Sequence, residues 1–458
     1  MADGGDQGHR LARLGVVAAL AMTLLTGVYI AIISMRPSVA SWLPSMRTMR
    51  PMHTLGMAGM LLCGLIAMRS TVFARLDCRV TFPGPVLAIL TLVFLGVAAA
   101  EIAMGRGSGL EYIGWPLWLT WIPIGVLAAM AWDTIMNLDK LTSCSGEGAW
   151  LLLIGLCLTP LGMIERVAGA DVHGIARSLT VEWHALDTVF AGFNTALYGL
   201  GILLVSEPGS GRPPRSPWLY CLSVFALLST FGHHHYMSGQ PGALKQIAFV
   251  ASMLGILSFV RHVRSVSRRN HRTTDDPSAP LFRTASAWMI FAVGTGVLIA
   301  IPRVNLVLHG THAIVGHAMG AVIGVDVMII LAGLLSQPGE QRPTRTVNRY
   351  TTLSNIALSL MALNLFAAGV AKGFMRMSHT HSEYLPVIRG LLAPLPILGI
   401  ALSAGLLGLA RAAWSGGVKQ QSPLARPARS ERPPKDRSVS IQPIGANHNA
   451  AEGARGPA

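Results

Sequence analysis

Apolar runs of membrane-spanning length constrain this chain more than any other feature. Stretches of about 20 residues, enough for one helix to cross a bilayer core, lie near 11–34, 51–68, 85–104, 113–132, 149–166, 181–205, 217–238, 242–261, 285–302, 308–335, 350–373 and 387–413. In hydrocarbon the backbone must satisfy its own polar groups, so such runs fold as helices. The fold class expected is an all-α integral membrane protein of about twelve transmembrane helices. Composition agrees, with 52% hydrophobic and 12% charged residues, where soluble domains carry about 25% charged. The net charge of +15 could suggest a polyanionic partner. The Arg and Lys lie mostly in loops and the tail, however, as membrane topology requires, so no nucleic acid is expected.

The chain divides into a short N-terminus (1–10), a membrane domain (11–414) and a Pro-, Ser- and Arg-rich tail (415–458) that cannot bury a core. The first apolar run is too long for a signal-peptide core and lacks a clear cleavage site, so it reads as a retained helix. Orientation follows from the loops. Arg264, Arg268, Arg269, Arg272 and Arg283 precede the ninth span. The connections after the second, sixth and tenth carry Arg69, Arg75, Arg79, Arg212, Arg215, Arg342, Arg345 and Arg349. All lie on the side of Arg10, Arg13 and the basic tail, which predicts cytoplasmic termini and a plasma-membrane location.

The stretch from Ile301 to Leu335 reads as a spanning helix that carries His309, His312, His317 and Met319. Polar side chains at membrane depth are costly and mark pairing, ion handling or metal binding. At about 100° per residue His317 and Met319 face opposite ways, so each can serve a different planar group. On a regular helix His309 lies on the side of His317, about 12 Å nearer the end. With the predicted orientation, His53, His184, His233, His234 and His235 fall in the outer half of the bilayer together with His317. Scattered structural histidines would not favour one depth. Five cysteines show no C-x-x-C or C-x-x-C-H pattern, which leaves no sign of covalent haem, zinc or a disulfide framework.

Histidines on the second, sixth, seventh and tenth of twelve spans resemble the catalytic subunit (subunit I) of the haem–copper oxidoreductase superfamily. The local motifs are most similar to its nitric oxide reductase branch. They are Met49-Arg50-Pro51-Met52-His53-Thr54, then Gly232-His233-His234 with Gly239 and Pro241, and Pro302, Val304 and Asn305 before His309-Gly310-Thr311 and His317. The resemblance implies two haems and one non-haem metal. His317 would be the proximal ligand of a high-spin haem, and His184, His233 and His234 would hold the metal facing it. His53 would be an axial ligand of a low-spin haem, with His309 near haem propionates. His235 falls at a non-ligand position.

The chain departs from the family pattern in several places. Most members have His-x-His in the tenth helix; here the second position is Met319, itself a haem ligand that raises the potential. Low-spin ligation by His53 and Met319 is therefore expected. The tyrosine of oxygen-reducing branches is replaced by Thr188 at one of its two known positions and by Leu227 at the other, which favours NO over O₂ as substrate. The glutamates typical of NO reductases are also missing, since Asp187 is the nearest carboxylate after His184 and Gly255 stands at the eighth-helix position. Copper is then as plausible as iron, and Asp187 and Glu182 are candidates for proton delivery or metal support. Asp326 and Lys372 are the deep ionisable residues, so protons are expected from the outer side. The function expected is reduction of NO to N₂O. Electrons would come from a donor subunit, cytochrome c, a cupredoxin or quinol. The alternatives are a divergent oxygen reductase or NO dismutase on the same scaffold, or a haem-free twelve-helix transporter.

Overall fold

A computed structural model describes residues 2–35, 44–108, 110, 112–172, 174, 183–206, 241–269, 276–336 and 344–415. The regular elements among the described residues are all helical, with no strand. In chain order they form α1 (Ala2–Met35), α2 (Met46–Arg75), α3 (Gly84–Ala103), α4 (Trp121–Met136) and α5 (Leu138–Ala168). Next come α6 (Trp183–Val205), α7 (Gly242–Arg269), α8 (Ala279–Ala300) and α9 (Pro302–Leu308). The last are α10 (His312–Met319), α11 (Met328–Leu335), α12 (Thr344–Met375), α13 (His381–Leu392) and α14 (Leu395–Ser415). Ten segments are long and apolar enough to cross a membrane, and they correspond to spans one to six and nine to twelve of the sequence reading. α7 covers the eighth, with a shorter apolar part, Gly242–Leu254. The seventh span, the tail and Glu182 lie outside the described residues. The described residues all fall within one compact unit.

The tenth span departs from expectation. It is not one helix from Ile301 to Leu335. α9 ends at His309, Gly310 takes φ +69°, and Thr311 caps α10 by accepting the Ala313 N–H at 3.3 Å. Glycine enters that left-handed region without steric penalty, so His-Gly-Thr is a break that hydropathy could not reveal. Between α10 and α11 the chain widens into a π-helical run, Gly320–Val327. The facing of His309 and His317 therefore cannot be taken from a single helical period. Two other elements also differ. α5 is longer than expected and kinked at Ser145, and α13 is separated from α14 around Pro394.

Lipid offers no hydrophobic drive for helix association, so close packing supplies it. α5 and α6 meet through glycines at seven-residue spacing. A methyl group on Gly155 would collide with the backbone of Gly192 and Ala196, and one on Gly162 with that of Ala185 and Val189. Gly199 and Gly148 meet in the same way one repeat along.

Several arginines counted above as topology charges lie within helices and are tied to the bundle. Arg69 lies within α2, 1% exposed, paired with the 0%-exposed Asp133 of α4. Its guanidinium also stacks 4.6 Å from the Phe73 ring. Asp133 further accepts the N–H groups of Thr81 at 2.9 Å and Phe82 at 3.2 Å, clasping the α2–α3 loop. Arg75 donates to the carbonyls of Leu203 and Leu204 at the end of α6. Arg13 donates to Leu334 O at 3.2 Å. These residues weigh less as topology signals than the sequence suggested.

Candidate functional site

His53, His184, His309, His317, Met319 and Asp187 are described; His233, His234 and His235 lie outside the described residues. Among the described residues no three His, Cys, Asp or Glu side chains come together as a metal site.

Depth can be read from packing. A methyl group on Gly64 would meet Ile330, and one on Gly333 would meet Met68 and Leu204. One on Gly201 would lie 3.3 Å from Ile329. Hence α2, α6 and the α10–α11 rod run parallel. Extending that register at about 1.5 Å per residue puts His53 level with Met319, and His184 about one turn beyond His317. The four side chains therefore lie within about two helical turns of one another in depth. Span order alone predicts a shared depth for His53, His184 and His317 among them.

His53 turns its ring toward α1. Its Nδ1 lies 2.8 Å from Thr23 O and 3.4 Å from Thr26 Oγ1. A carbonyl only accepts, so Nδ1 carries the proton and the lone pair sits on Nε2. That is the tautomer an axial haem ligand needs. Gly27 makes room, since a methyl group there would stand 3.0 Å from His53 Cε1.

His317 is held by α8. Its Nδ1 is 2.8 Å from Thr295 Oγ1, and that hydroxyl donates to Phe291 O at 2.7 Å. With its hydrogen committed, the hydroxyl accepts from Nδ1–H and leaves the lone pair on Nε2. Gly296 opens space beside this edge, because a methyl group there would lie 3.2 Å from Cε1 and 3.8 Å from Nε2. Both histidines thus fit an axial role. Met319 ends α10, half-buried against the main core.

His184 pairs with a residue that sequence reasoning missed. Its Nδ1 lies 3.1 Å from Glu165 Oε2 on α5. Thr188 Oγ1 bridges the two, donating to His184 O at 2.9 Å with Glu165 Oε2 at 3.5 Å. A carboxylate on Nδ1 orients the ring and raises the basicity of Nε2, as metal-bound histidines require. The available signal was the acidic Glu165 at the end of the fifth span. Its neighbour Arg166 is 3% exposed and donates to Trp115 O at 2.9 Å and Thr120 Oγ1 at 3.2 Å, anchoring this end of α5.

His309 stands at the break before α10, and Arg376 of α12 donates to its carbonyl at 2.8 Å. Lys372 donates to Gly310 O at 3.1 Å. Both cations cluster at that turn, which suits an anionic group. Deep in the bundle, Asp326 in the π-helical run is 1% exposed and accepts from the Asn194 amide at 2.8 Å.

The family model "Cytochrome C and Quinol oxidase polypeptide I" matches residues 210–398, a range that contains His233, His234, His309, His317 and Met319. The chain is 23% identical over 389 residues to the "Cbb3-type cytochrome c oxidase subunit CcoN1" of Stutzerimonas stutzeri, covering 76% of this chain and 80% of that protein. It is 22% identical over 370 residues to a "Cytochrome c oxidase subunit 1 homolog" of Agrobacterium tumefaciens (strain T37), covering 74% and 68%. A cryo-EM structure of a haem–copper terminal oxidase dimer superimposes with a TM-score of 0.62 at 13% identity, covering 90% of this chain and 84% of that one. The chain belongs to the haem–copper oxidase subunit I superfamily. For a subunit I, tautomer-fixed histidines on α2 and α10 and a carboxylate-backed histidine on α6 are a coherent set. It is accordingly a multi-pass membrane oxidoreductase.

Proposed function

We propose that this subunit I reduces nitric oxide, 2 NO + 2 e⁻ + 2 H⁺ → N₂O + H₂O, at a high-spin haem held by His317 facing a metal held by His184, His233 and His234. His53 and Met319 would hold the low-spin haem that passes electrons on, and the metal would be copper or iron. When bound, these groups supply the redox chemistry and the sites for substrate.

The protein's part is positional. Thr23 and Thr295 fix the two haem-facing imidazoles in the Nε2 lone-pair tautomer. Glu165 does the same for His184. Asp187, half-buried one turn after His184, and Glu182 are the groups to hold a proton near the metal. Lys372 and Arg376 would meet the haem propionates beside His309.

The observation that carries the choice of NO is Thr188. It fills one of the tyrosine positions of oxygen-reducing branches with a short hydroxyl committed to His184 O and the Glu165 carboxylate. A hydroxyl there cannot supply the phenolic electron and proton that four-electron O₂ reduction draws on. A second reading, O₂ reduction, is favoured by the oxidase names of both relatives. Both readings place the termini in the cytoplasm and need an electron donor, whether a partner subunit, cytochrome c, a cupredoxin or quinol. Gas analysis of the purified protein with a chemical reductant decides. N₂O from NO with little O₂ uptake supports the proposal. Rapid O₂ uptake without N₂O establishes the second reading, and N₂ with O₂ would mean NO dismutation.

A further inference from the structure

Residues of α8 and α12 line an open groove of about 500 Å³. It is lined by Arg283, Thr284, Ala287, Trp288, Phe291, Asn355 and Ser359. Its chemistry is divided along its length. Arg283, exposed, stands at the end near the start of α8; the aromatic walls follow one and two turns deeper. Neither α8 nor α12 contains an Asp or Glu, and among the described residues no carboxylate pairs with Arg283. Arg345 and Arg349 add positive charge at the same end of α12. The polar ledge between is internally engaged. Trp288 Nε1 donates to Asn355 Oδ1 at 3.0 Å, and Asn355 Nδ2 donates to Thr284 Oγ1 at 3.0 Å.

We propose that this groove is a specific site for an anionic phospholipid, with its phosphate on Arg283 and one acyl chain along Ala287, Trp288 and Phe291. A guanidinium fork matches phosphate oxygens in two-point geometry. Placed at a membrane-helix end beside apolar walls, it meets a headgroup and a chain at the depths where a lipid offers them. A quinone carries no charge to meet Arg283, and the Trp288 indole N–H at the ledge is already given to Asn355. With Arg283 as the one charged group in the lining, anionic lipids should bind better than zwitterionic ones.

The ligand would matter to the bundle because its walls are structural. Trp288 packs on Gly324, and Phe291 on Gly320, in the π-helical run that follows Met319. Phe291 also stacks edge-on against Phe366 of α12, with ring centroids 5.8 Å apart. Filling the groove would brace α8 against that run.

The test uses full-length protein exchanged into mixed micelles of dioleoylphosphatidylglycerol and dioleoylphosphatidylcholine, with retained lipid counted by native mass spectrometry. The expected result is one retained lipid per chain, with phosphatidylglycerol preferred by about tenfold, since phosphatidylcholine offers the same phosphate but adds a choline cation beside Arg283, Arg345 and Arg349. Arg283→Gln should abolish the preference. Ala287→Trp, which fills the groove and leaves Arg283 in place, should remove the retained lipid. Arg283 and Ala287 are both exposed, so neither change should prevent folding, and melting curves of both variants verify this. Equal retention of the two lipids, a preference that survives either substitution, or a retained quinone in place of phospholipid would each overturn the proposal.

Discussion

Replacing Asp133 with leucine should destabilise the bundle far more than a surface charge change would. The carboxylate is fully buried and holds the Arg69 guanidinium, itself 1% exposed. Without it, a cation remains in the interior between α2 and α4, with Phe73 as its nearest named neighbour. Removing one member of a buried pair costs about 3–5 kcal/mol. The freed N–H groups of Thr81 and Phe82 add little, because both residues are exposed and water can replace the carboxylate. The loop keeps a second clasp, since Asn137 accepts from Arg79 N and donates to Arg79 O, both at 2.7 Å. Most of the loss should therefore be electrostatic. The double variant Arg69→Met with Asp133→Leu removes both charges and should recover all but about 1–2 kcal/mol, as apolar replacements of buried pairs commonly do. Unfolding in mixed micelles can be followed by labelling of Cys63, whose thiol is buried. A single variant that loses less than about 1 kcal/mol, or a double variant no better than the single, would refute the claim that desolvated charge dominates here.

Other expectations follow from the packing and from the proposed ligand set. Thr295→Val keeps side-chain volume but removes the acceptor on His317 Nδ1. High-spin haem affinity should fall about 10- to 100-fold, with Thr295→Ser near wild type; unchanged haem content in Thr295→Val would remove that contact from the site. Glu165→Gln should weaken non-haem metal retention by a similar factor, about 10-fold or more, measured by metal analysis after dialysis against chelator. Gly155→Leu should separate α5 from α6 and abolish folded yield, read by size-exclusion chromatography of detergent extracts, because its side chain has only the backbone of Gly192 and Ala196 to occupy.

Hydropathy made most of the helices legible, since a bilayer leaves few other options for twenty apolar residues. The break at His309–Thr311 was hidden because its residues sit inside an unbroken apolar run. Only the combination of Pro302, Gly310 and Thr311 hinted at it, and each alone is common. Arg69 and Arg75 read as loop charges because sequence does not say where α2 stops; their partners lie on α4 and α6, far along the chain. The candidate ligands on α2, α6 and α10 could be named from motif order, and helix register supports their common depth. Glu165, Thr23 and Thr295 could not be named, because an orienting partner is chosen by which helices neighbour each other, and no local spacing encodes that. The resemblance identified the superfamily correctly. The choice of branch rested on single positions such as Thr188, and it stands as a proposal.

The central claim is that imidazoles on α2 and α10, with Met319, hold two haems. Reduced-minus-oxidised spectra and haem quantitation of the wild-type protein beside Met319→Leu test it most directly. The account predicts two haems per chain in the wild type and a low-spin spectrum displaced by the substitution, with the high-spin bands unchanged. A wild-type protein without haem bands would contradict it outright, and a low-spin spectrum indifferent to Met319 would contradict the ligand assignment.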